Sequence, residues 1–267
     1  MLGISDGISR LSDRRSIESY WDLLVLLVQK DLKVRYKKNV LGYLWSIASP
    51  LTFALVYYFA FQIVLQIRAE GYALILISGL FPWQWFANSL ASSPNYFIAT
   101  SQILRKVRFP LSIVPLAANL NNMIHFLLSL PVVVVMLLIY DKAPSLTWLY
   151  GVPLLVTVQL AMLHGVSLIL SSLNLFLRDI ERVAQIITQF TFFFTPIIYT
   201  VDMLPPEYLP FLPLNPAAPL MVNWRYLILD GKLDWFYFLC SVGYALLFLA
   251  LGTWVFNKLS SRFAEVA

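Results

Sequence analysis

The chain alternates long uncharged runs with short charged segments. Residues 39–67, 71–104, 109–140, 143–177, 183–201 and 235–257 contain no Asp, Glu, Lys or Arg. A helix crosses a hydrocarbon layer about 30 Å thick with roughly 20 apolar residues, and each run has the length for it. The runs are continuous, whereas barrel strands would alternate over short segments. Where no water is available, a helix satisfies its own backbone polar groups. The pattern predicts an all-α integral membrane protein with six transmembrane helices. These are expected near 41–66, 73–100, from the loop after Pro110 to Tyr140, 148–177, 184–200 and 235–256. Runs of more than 30 residues are expected to include interfacial or re-entrant backbone at their ends.

The segments between the runs have their own patterns. Residues 1–16 are polar and read as a tail. From Ile17, Trp21, Leu24, Val25, Val28 and Leu32 follow one helical face, with Asp22, Gln29, Lys30, Lys33 and Lys37 largely opposite. That arrangement predicts an amphipathic interface helix over 17–38, lying at a membrane surface. Residues 39–267 then form the six-helix domain. Between helices 5 and 6, residues 201–233 hold five prolines from 205 to 216, plus Pro219. Their apolar stretches are too short to span and predict short re-entrant or interfacial helices. No internal repeat and no separate soluble domain is evident.

Charge orients this arrangement. Only 12% of the 267 residues are charged and 60% are hydrophobic, whereas soluble chains carry about 25% charged residues. With six helices, one side receives 15 Lys and Arg: those up to Lys38, Arg105, Lys106 and Arg108, Arg178 and Arg182, and Lys258 and Arg262. The other side receives four, Arg68, Lys142, Arg225 and Lys232. The excess of cations on cytoplasmic loops makes the first side, and both termini, cytoplasmic. The same bias accounts for the net charge of +5 without a nucleic-acid partner, for which no motif appears. Met1 to Ser19 lacks an apolar signal core, so insertion is expected to rely on the first membrane helix. The single cysteine, Cys240, has no partner for a disulfide within the chain, and packing is its expected role.

Polar residues recur inside the runs at helical spacing. Helix 2 carries Gln84, Asn88, Ser92 and Asn95, and helix 3 carries Asn122, His125 and Ser129. Helix 4 carries His164, Ser167, Ser171 and Asn174, and helix 5 carries Gln185, Thr188, Thr195 and Tyr199, with Phe192 in the same stripe. Hydrogen bonding between helices is the expected role on helices 3 and 4. On helices 2 and 5 the same bonding and a wet conduit are both open readings. No acidic or basic residue lies mid-span, where an ion-coupled pump needs one. No phosphate-binding glycine loop, zinc motif or nucleophile elbow occurs. The chain reads as a path that it does not itself power. Aromatic residues make up 15%, and Tyr57, Tyr58, Phe59, Phe61, Trp83, Trp85 and Phe86 lie well inside helices 1 and 2. They serve as packing, or as flat faces against which sugar rings slide.

Several elements in fixed order point to a family. They are Arg35-Tyr36-Lys37 leading to Leu41-Gly42, Trp45 and Pro50; Gly79-Leu80 with Pro82-Trp83 and Phe86; and Lys106-Val107 with Phe109-Pro110 and Pro115. Arg178-Asp179-Ile180 follows, then Thr195-Pro196-Ile197-Ile198-Tyr199, Asn215-Pro216, Arg225-Tyr226, Phe256 and Phe263-Ala264. From about residue 20 onward the chain resembles the membrane subunit of type-2 ABC exporters, in the branch that exports polysaccharides and polyol phosphates, which includes O-antigen permeases of the Wzm type. The resemblance implies a permease without its own catalytic site, cofactor or metal, working as a homodimer in the bacterial cytoplasmic membrane. Two copies of a separate ATPase subunit would hold the ATP and Mg. The implied cargo is an O-antigen-like polysaccharide linked to undecaprenyl diphosphate; the alternatives are teichoic acid, capsule, or a drug or lipid.

Residue roles follow from the resemblance together with the charge pattern. Arg35, Lys37 and Lys38 are candidates for contact with the lipid diphosphate, with membrane topology and anionic lipid as the competing role. Tyr57, Trp83, Gln84, Asn88, Gln185, Thr188, Phe192, Thr195 and Tyr199 are candidates for the translocation path. Arg105, Lys106, Val107, Arg108 and Phe109 are candidates for coupling to the ATPase.

Overall fold

The computed structural model describes residues 20–33, 45–64, 66, 71–104 and 110–263, and among them there is no β-strand. Helix α1 covers residues 20–33. Helix α2 (Trp45–Tyr58) continues as a π-helix over Phe59–Val64. Helix α3 (Tyr72–Ser92) passes through a 3-10 turn, Ser93–Asn95, into α4 (Tyr96–Leu104). Then come α5 (Ile113–Ile139), α6 (Trp148–Asn174) and α7 (Ile180–Phe194). Two 3-10 segments, Val201–Met203 and Pro206–Leu214, precede α8 (Ala217–Asp230) and α9 (Trp235–Ser260). Among the described residues, α5, α6 and α9 are long and apolar enough to cross a membrane, and Leu51–Val64 is a shorter apolar stretch.

The helices run between two ends of one bundle. At the first end, Leu24 and Leu27 of α1 are buried with Phe97 of α4, Ile113 and Ala117 of α5, and Phe263 beyond α9. The Phe97 and Phe263 rings are 5.3 Å apart, and Phe176, just after α6, is 6.2 Å from Phe263. At the opposite end, Thr147 Oγ1 donates to the Gly231 carbonyl at 2.6 Å and Trp148 Nε1 to the Leu227 carbonyl at 2.8 Å. Tyr140 packs there beside Gly71. Thus α3, α6 and α9 run from this second end to the first, and α5 runs the opposite way. The described residues flanking the basic segments at 105–108, 178–182 and 258–262 lie at the end where α1 packs.

Burial is concentrated on α3 and α8. Fourteen of the 21 residues of α3 and eleven of the 14 of α8 are buried. Helix α8 packs among α3, α6 and α9. It is too short to cross a bilayer, about 21 Å at 1.5 Å per residue. Its burial on every side distinguishes it from a helix lying on a surface. The α6–α9 contact is the most extensive in the fold, and two glycines permit it. A Cβ on Gly252 would collide with the backbone of Gly165, and one on Gly165 with the backbone of Phe248. Small residues let backbones approach where lipid supplies no hydrophobic drive for association.

Prolines set two boundaries that periodicity missed. The second predicted helix is broken at Pro94, which lacks the N–H that would bond the Leu90 carbonyl. The Ser93 hydroxyl donates to that carbonyl instead, at 2.9 Å. The fifth helix runs over Ile180–Phe194 rather than 184–200. It starts inside the charged segment 178–182, where Glu181 in the first turn suits the helix dipole. It stops because Thr195, before Pro196, is extended at φ −103° and ψ 136°. On α1, Leu24 and Leu27 face the bundle while Trp21, Val25 and Leu26 are exposed. Its apolar residues therefore serve two surfaces, not the single face expected.

Candidate translocation surface

Three of the predicted path residues come together from three helices. The Tyr57 ring on α2 lies 5.6 Å from Phe192 on α7, and Trp83 on α3 lies 5.7 Å from the same Phe192 ring. Phe61, Tyr72 and Phe86 extend the cluster, at 6.2 Å from Tyr57, 6.4 Å from Phe61 and 5.4 Å from Trp83 respectively. Such ring pairs contribute about 0.5–1.5 kcal/mol beyond their buried area. Trp83 is fully packed, whereas Tyr57 and Phe192 are half-buried and present ring surface at the edge of the bundle. The π-helical stretch begins at Phe59, two residues after Tyr57; such stretches are frequent at functional sites.

The polar positions divide by helix. On α3, Gln84 is half-buried, Asn88 and Ser92 are exposed, and the three repeat every four residues along one face. On α7, Gln185 is exposed, and the half-buried Thr188 bonds back to the Ala184 carbonyl at 2.7 Å. Only Ala184 of α7 is buried among its residues, and Ile186, Ile187, Phe190, Phe193 and Phe194 are all exposed. The stripe ends there. Thr195 and Tyr199 lie past the last helical residue, so helical spacing no longer relates them to Gln185.

Those two residues instead build a corner at the end of the bundle where Tyr72 starts α3. Thr195 is buried, its hydroxyl donates to the Thr191 carbonyl at 2.6 Å, and it accepts from Asn215 Nδ2 at 2.9 Å. Arg225 of α8 reaches into the corner. Its Nη2 donates to the Ile197 carbonyl at 2.6 Å and its Nη1 to the Tyr199 carbonyl at 2.6 Å. The Tyr72 hydroxyl donates to the Ile198 carbonyl between them at 2.8 Å. Non-helical backbone inside an apolar bundle needs partners of this kind. The guanidinium is only 4% exposed, stays charged at neutral pH, and is paired here with carbonyl dipoles. Beside the corner is an apolar groove of about 940 Å³ with Ile187, Phe190, Phe194, Tyr199, Tyr208 and Phe211 in its walls.

Several polar residues of α5 and α6 join helices, whereas Ser129 and Ser171 bond within their own. Asn119 Nδ2 donates to Ser167 Oγ at 3.0 Å, Asn122 Nδ2 to Ser89 Oγ at 3.1 Å, and Asn174 Nδ2 to the Pro94 carbonyl at 3.0 Å. Gln159 donates to the Pro82 carbonyl at 3.1 Å and accepts from Trp224 Nε1 at 2.7 Å, tying α6 to α3 and α8. Sequence reasoning missed Gln159 and counted Arg225 with the cations of the outer side, without its burial. For Gln159 the strongly apolar surroundings were the available signal. The candidate diphosphate contacts Arg35, Lys37 and Lys38 lie outside the described residues. So do the candidate coupling residues Arg105, Lys106, Val107, Arg108 and Phe109. No group of three or more His, Cys, Asp or Glu able to hold a metal occurs among the described residues.

Known proteins are similar in sequence along nearly the whole chain. Two O-antigen export system permease proteins RfbA of Klebsiella pneumoniae are 45% and 44% identical, each over 92% of this chain and 95% of their own. An O-antigen export system permease protein RfbA of Myxococcus xanthus is 30% identical over 94% of this chain and 97% of its own. Residues 22–229, from α1 to the end of α8, match the family described as ABC-2 type transporter. With that match and these relatives, the chain belongs to the ABC-2 type transporter family.

Proposed function

We propose that the protein is the permease half of an ATP-driven exporter of a lipid-linked polysaccharide, O-antigen-like and carried on undecaprenyl diphosphate. What carries this reading is the 44–45% identity to O-antigen export permeases over 92% of the chain. The fold supports it. Helices α5, α6 and α9 are long and apolar enough to cross a membrane, and the remaining traverses of the proposal are α2 with its π-helical continuation, α3, and α7 together with the non-helical residues 195–200 after it. In the cytoplasmic membrane of a bacterium, the basic segments then put the α1 end and both termini in the cytoplasm. Helix α8 and its 3-10 neighbours form a re-entrant unit at the outer end.

The permease works as a homodimer with two copies of a separate ATPase that holds ATP and Mg. The exposed aromatic face of α7 with Tyr57 on α2 faces the conduit between protomers. Flat rings there slide along the C–H faces of sugars, while Gln84, Asn88, Gln185 and Thr188 exchange hydrogen bonds with hydroxyls. Arg105, Lys106, Val107, Arg108 and Phe109 meet the ATPase. Arg35, Lys37 and Lys38 attract the diphosphate through charge-assisted bonds.

Deleting the gene tests this. Surface polysaccharide is lost and lipid-linked polymer builds up inside the cell, and the wild-type gene restores export. Neutralising Arg35 and Lys37 together lowers export with normal membrane insertion. Normal surface glycan in the deletion strain would refute the function, and normal export in the double variant would refute the role of the two cations.

A further inference from the structure

A second cavity, about 360 Å³, opens where α1, the α3–α4 junction and α5 meet. Asp31 comes from α1, Ser92 and Tyr96 from the junction, and Asn121, Asn122 and His125 from α5. Its chemistry differs from that of the apolar outer groove: one carboxylate, two amides, two hydroxyls and an imidazole converge on a space of small-ligand size. Asn121 is 5% exposed, and neither its amide oxygen nor its nitrogen has a hydrogen-bond partner. Buried amides are almost always satisfied, so a pair of unfilled positions on one side chain calls for an occupant. That occupant must both donate and accept. A fully ionised phosphate only accepts. A hydroxyl does both, and a carboxylate is a ready acceptor for it.

Position adds a second argument. Ser92 is the last member of the Gln84–Asn88–Ser92 stripe on α3, and its hydroxyl lies 2.9 Å from the Tyr96 hydroxyl. The cavity thus stands at the foot of that polar stripe, at the end of the bundle where α1 packs. We propose that it is a saccharide subsite, holding one uncharged, hydroxyl-bearing sugar ring of the cargo at the cytoplasmic side before the chain moves along α3. The proposal rests on the reading of the protein as a glycan exporter.

The test uses the full permease–ATPase complex in lipid nanodiscs. ATPase stimulation is titrated with undecaprenyl diphosphate bearing one neutral hexose and with bare undecaprenyl diphosphate. The sugar-bearing lipid is expected to half-saturate at about tenfold lower concentration, the worth of one or two hydrogen bonds. In Asn121→Leu, which removes the amide at nearly the same shape, and in Asp31→Asn, that ratio falls towards one. Asn121→Ser, which keeps a hydroxyl in place, retains part of it. Should Asn121→Leu fail to assemble with the ATPase, Asp31→Asn decides, because Asp31 is exposed on α1. An undiminished ratio in the assembled variants overturns the proposal, as does a ratio of one in the wild type. The exporter reading survives either result if full-length lipid-linked polymer still stimulates the wild type. If that polymer does not, the exporter reading fails and the subsite fails with it.

Discussion

Nη2 of Arg225 occupies the space that a side chain on Gly79 would need. A Cβ built on Gly79 stands 2.8 Å from that nitrogen and 3.0 Å from the Ile197 carbonyl oxygen that the nitrogen serves. The bare backbone of α3 is what lets the guanidinium reach the corner after α7. Gly79→Ala is therefore expected to displace Arg225 and lower the thermal unfolding midpoint. Arg225→Leu frees two buried carbonyls, at about 1–3 kcal/mol each. Arg225→Lys falls between, since an ammonium cannot span both carbonyls as a planar fork does. Thermal unfolding of the purified protein in detergent ranks the three; an unchanged midpoint in Arg225→Leu would contradict this role.

The α6–α9 contact predicts opposite outcomes for two glycines on one helix. A Cβ on Gly252 meets the Gly165 backbone, whereas one on Gly243 meets nothing within 4 Å. Gly252→Ala should destabilise by separating the helices. Gly243→Ala should be neutral, or stabilising by up to about 1 kcal/mol through helix propensity. The difference between their unfolding midpoints is the readout. Equal effects would mean that close approach at Gly252 is not what holds α6 against α9.

The two surfaces of α1 separate in the same way. Leu24 and Leu27 are buried against the bundle, and burying a leucine stabilises by about 1.5–3 kcal/mol. Leu24→Asn with Leu27→Asn should release α1 and expose it to protease in membrane vesicles. Trp21→Ser, at an exposed position, should leave α1 docked. Equal protection in both would contradict the packing.

Phe192 joins α2, α3 and α7 through its ring contacts with Tyr57 and Trp83. Phe192→Ala is expected to lower export several-fold while the ATPase still co-purifies, and Phe192→Tyr to preserve it. Trp83→Ala is expected to act mainly on stability, by about 3–5 kcal/mol, because that side chain is fully packed. Surface glycan measured beside the yield of assembled complex separates the two.

Particular residues mark what the sequence made legible. The charge-free runs gave the helical architecture, because length and apolarity are local properties. Asn122, Ser167 and Asn174 join helices as their spacing implied, and Asn119, which the spacing did not single out, is the partner of Ser167. Pro94 and Pro196 were visible as residues, but whether a helix tolerates a proline depends on its neighbours: α3 continues through Pro82 and stops before Pro94. Arg225 was unreadable for a different reason. An arginine among prolines and short apolar stretches looks like loop charge, and only tertiary packing supplies the carbonyls that make its burial tolerable. Asn121 falls next to Asn122 in sequence, yet only Asn122 bonds to Ser89; the orientation of neighbouring side chains is set by the partner helix.

Export of a lipid-linked glycan, driven by ATP hydrolysed on a partner, can be measured outright. Its most direct test is translocation in proteoliposomes containing the permease with its ATPase, with labelled undecaprenyl-diphosphate-linked polysaccharide on the ATPase side. ATP and Mg are expected to deliver the glycan to the opposite leaflet, and neither the permease alone nor a hydrolysis-dead ATPase is expected to do so. Glycan movement by the permease without the ATPase, or none with the intact complex and ATP, would contradict it.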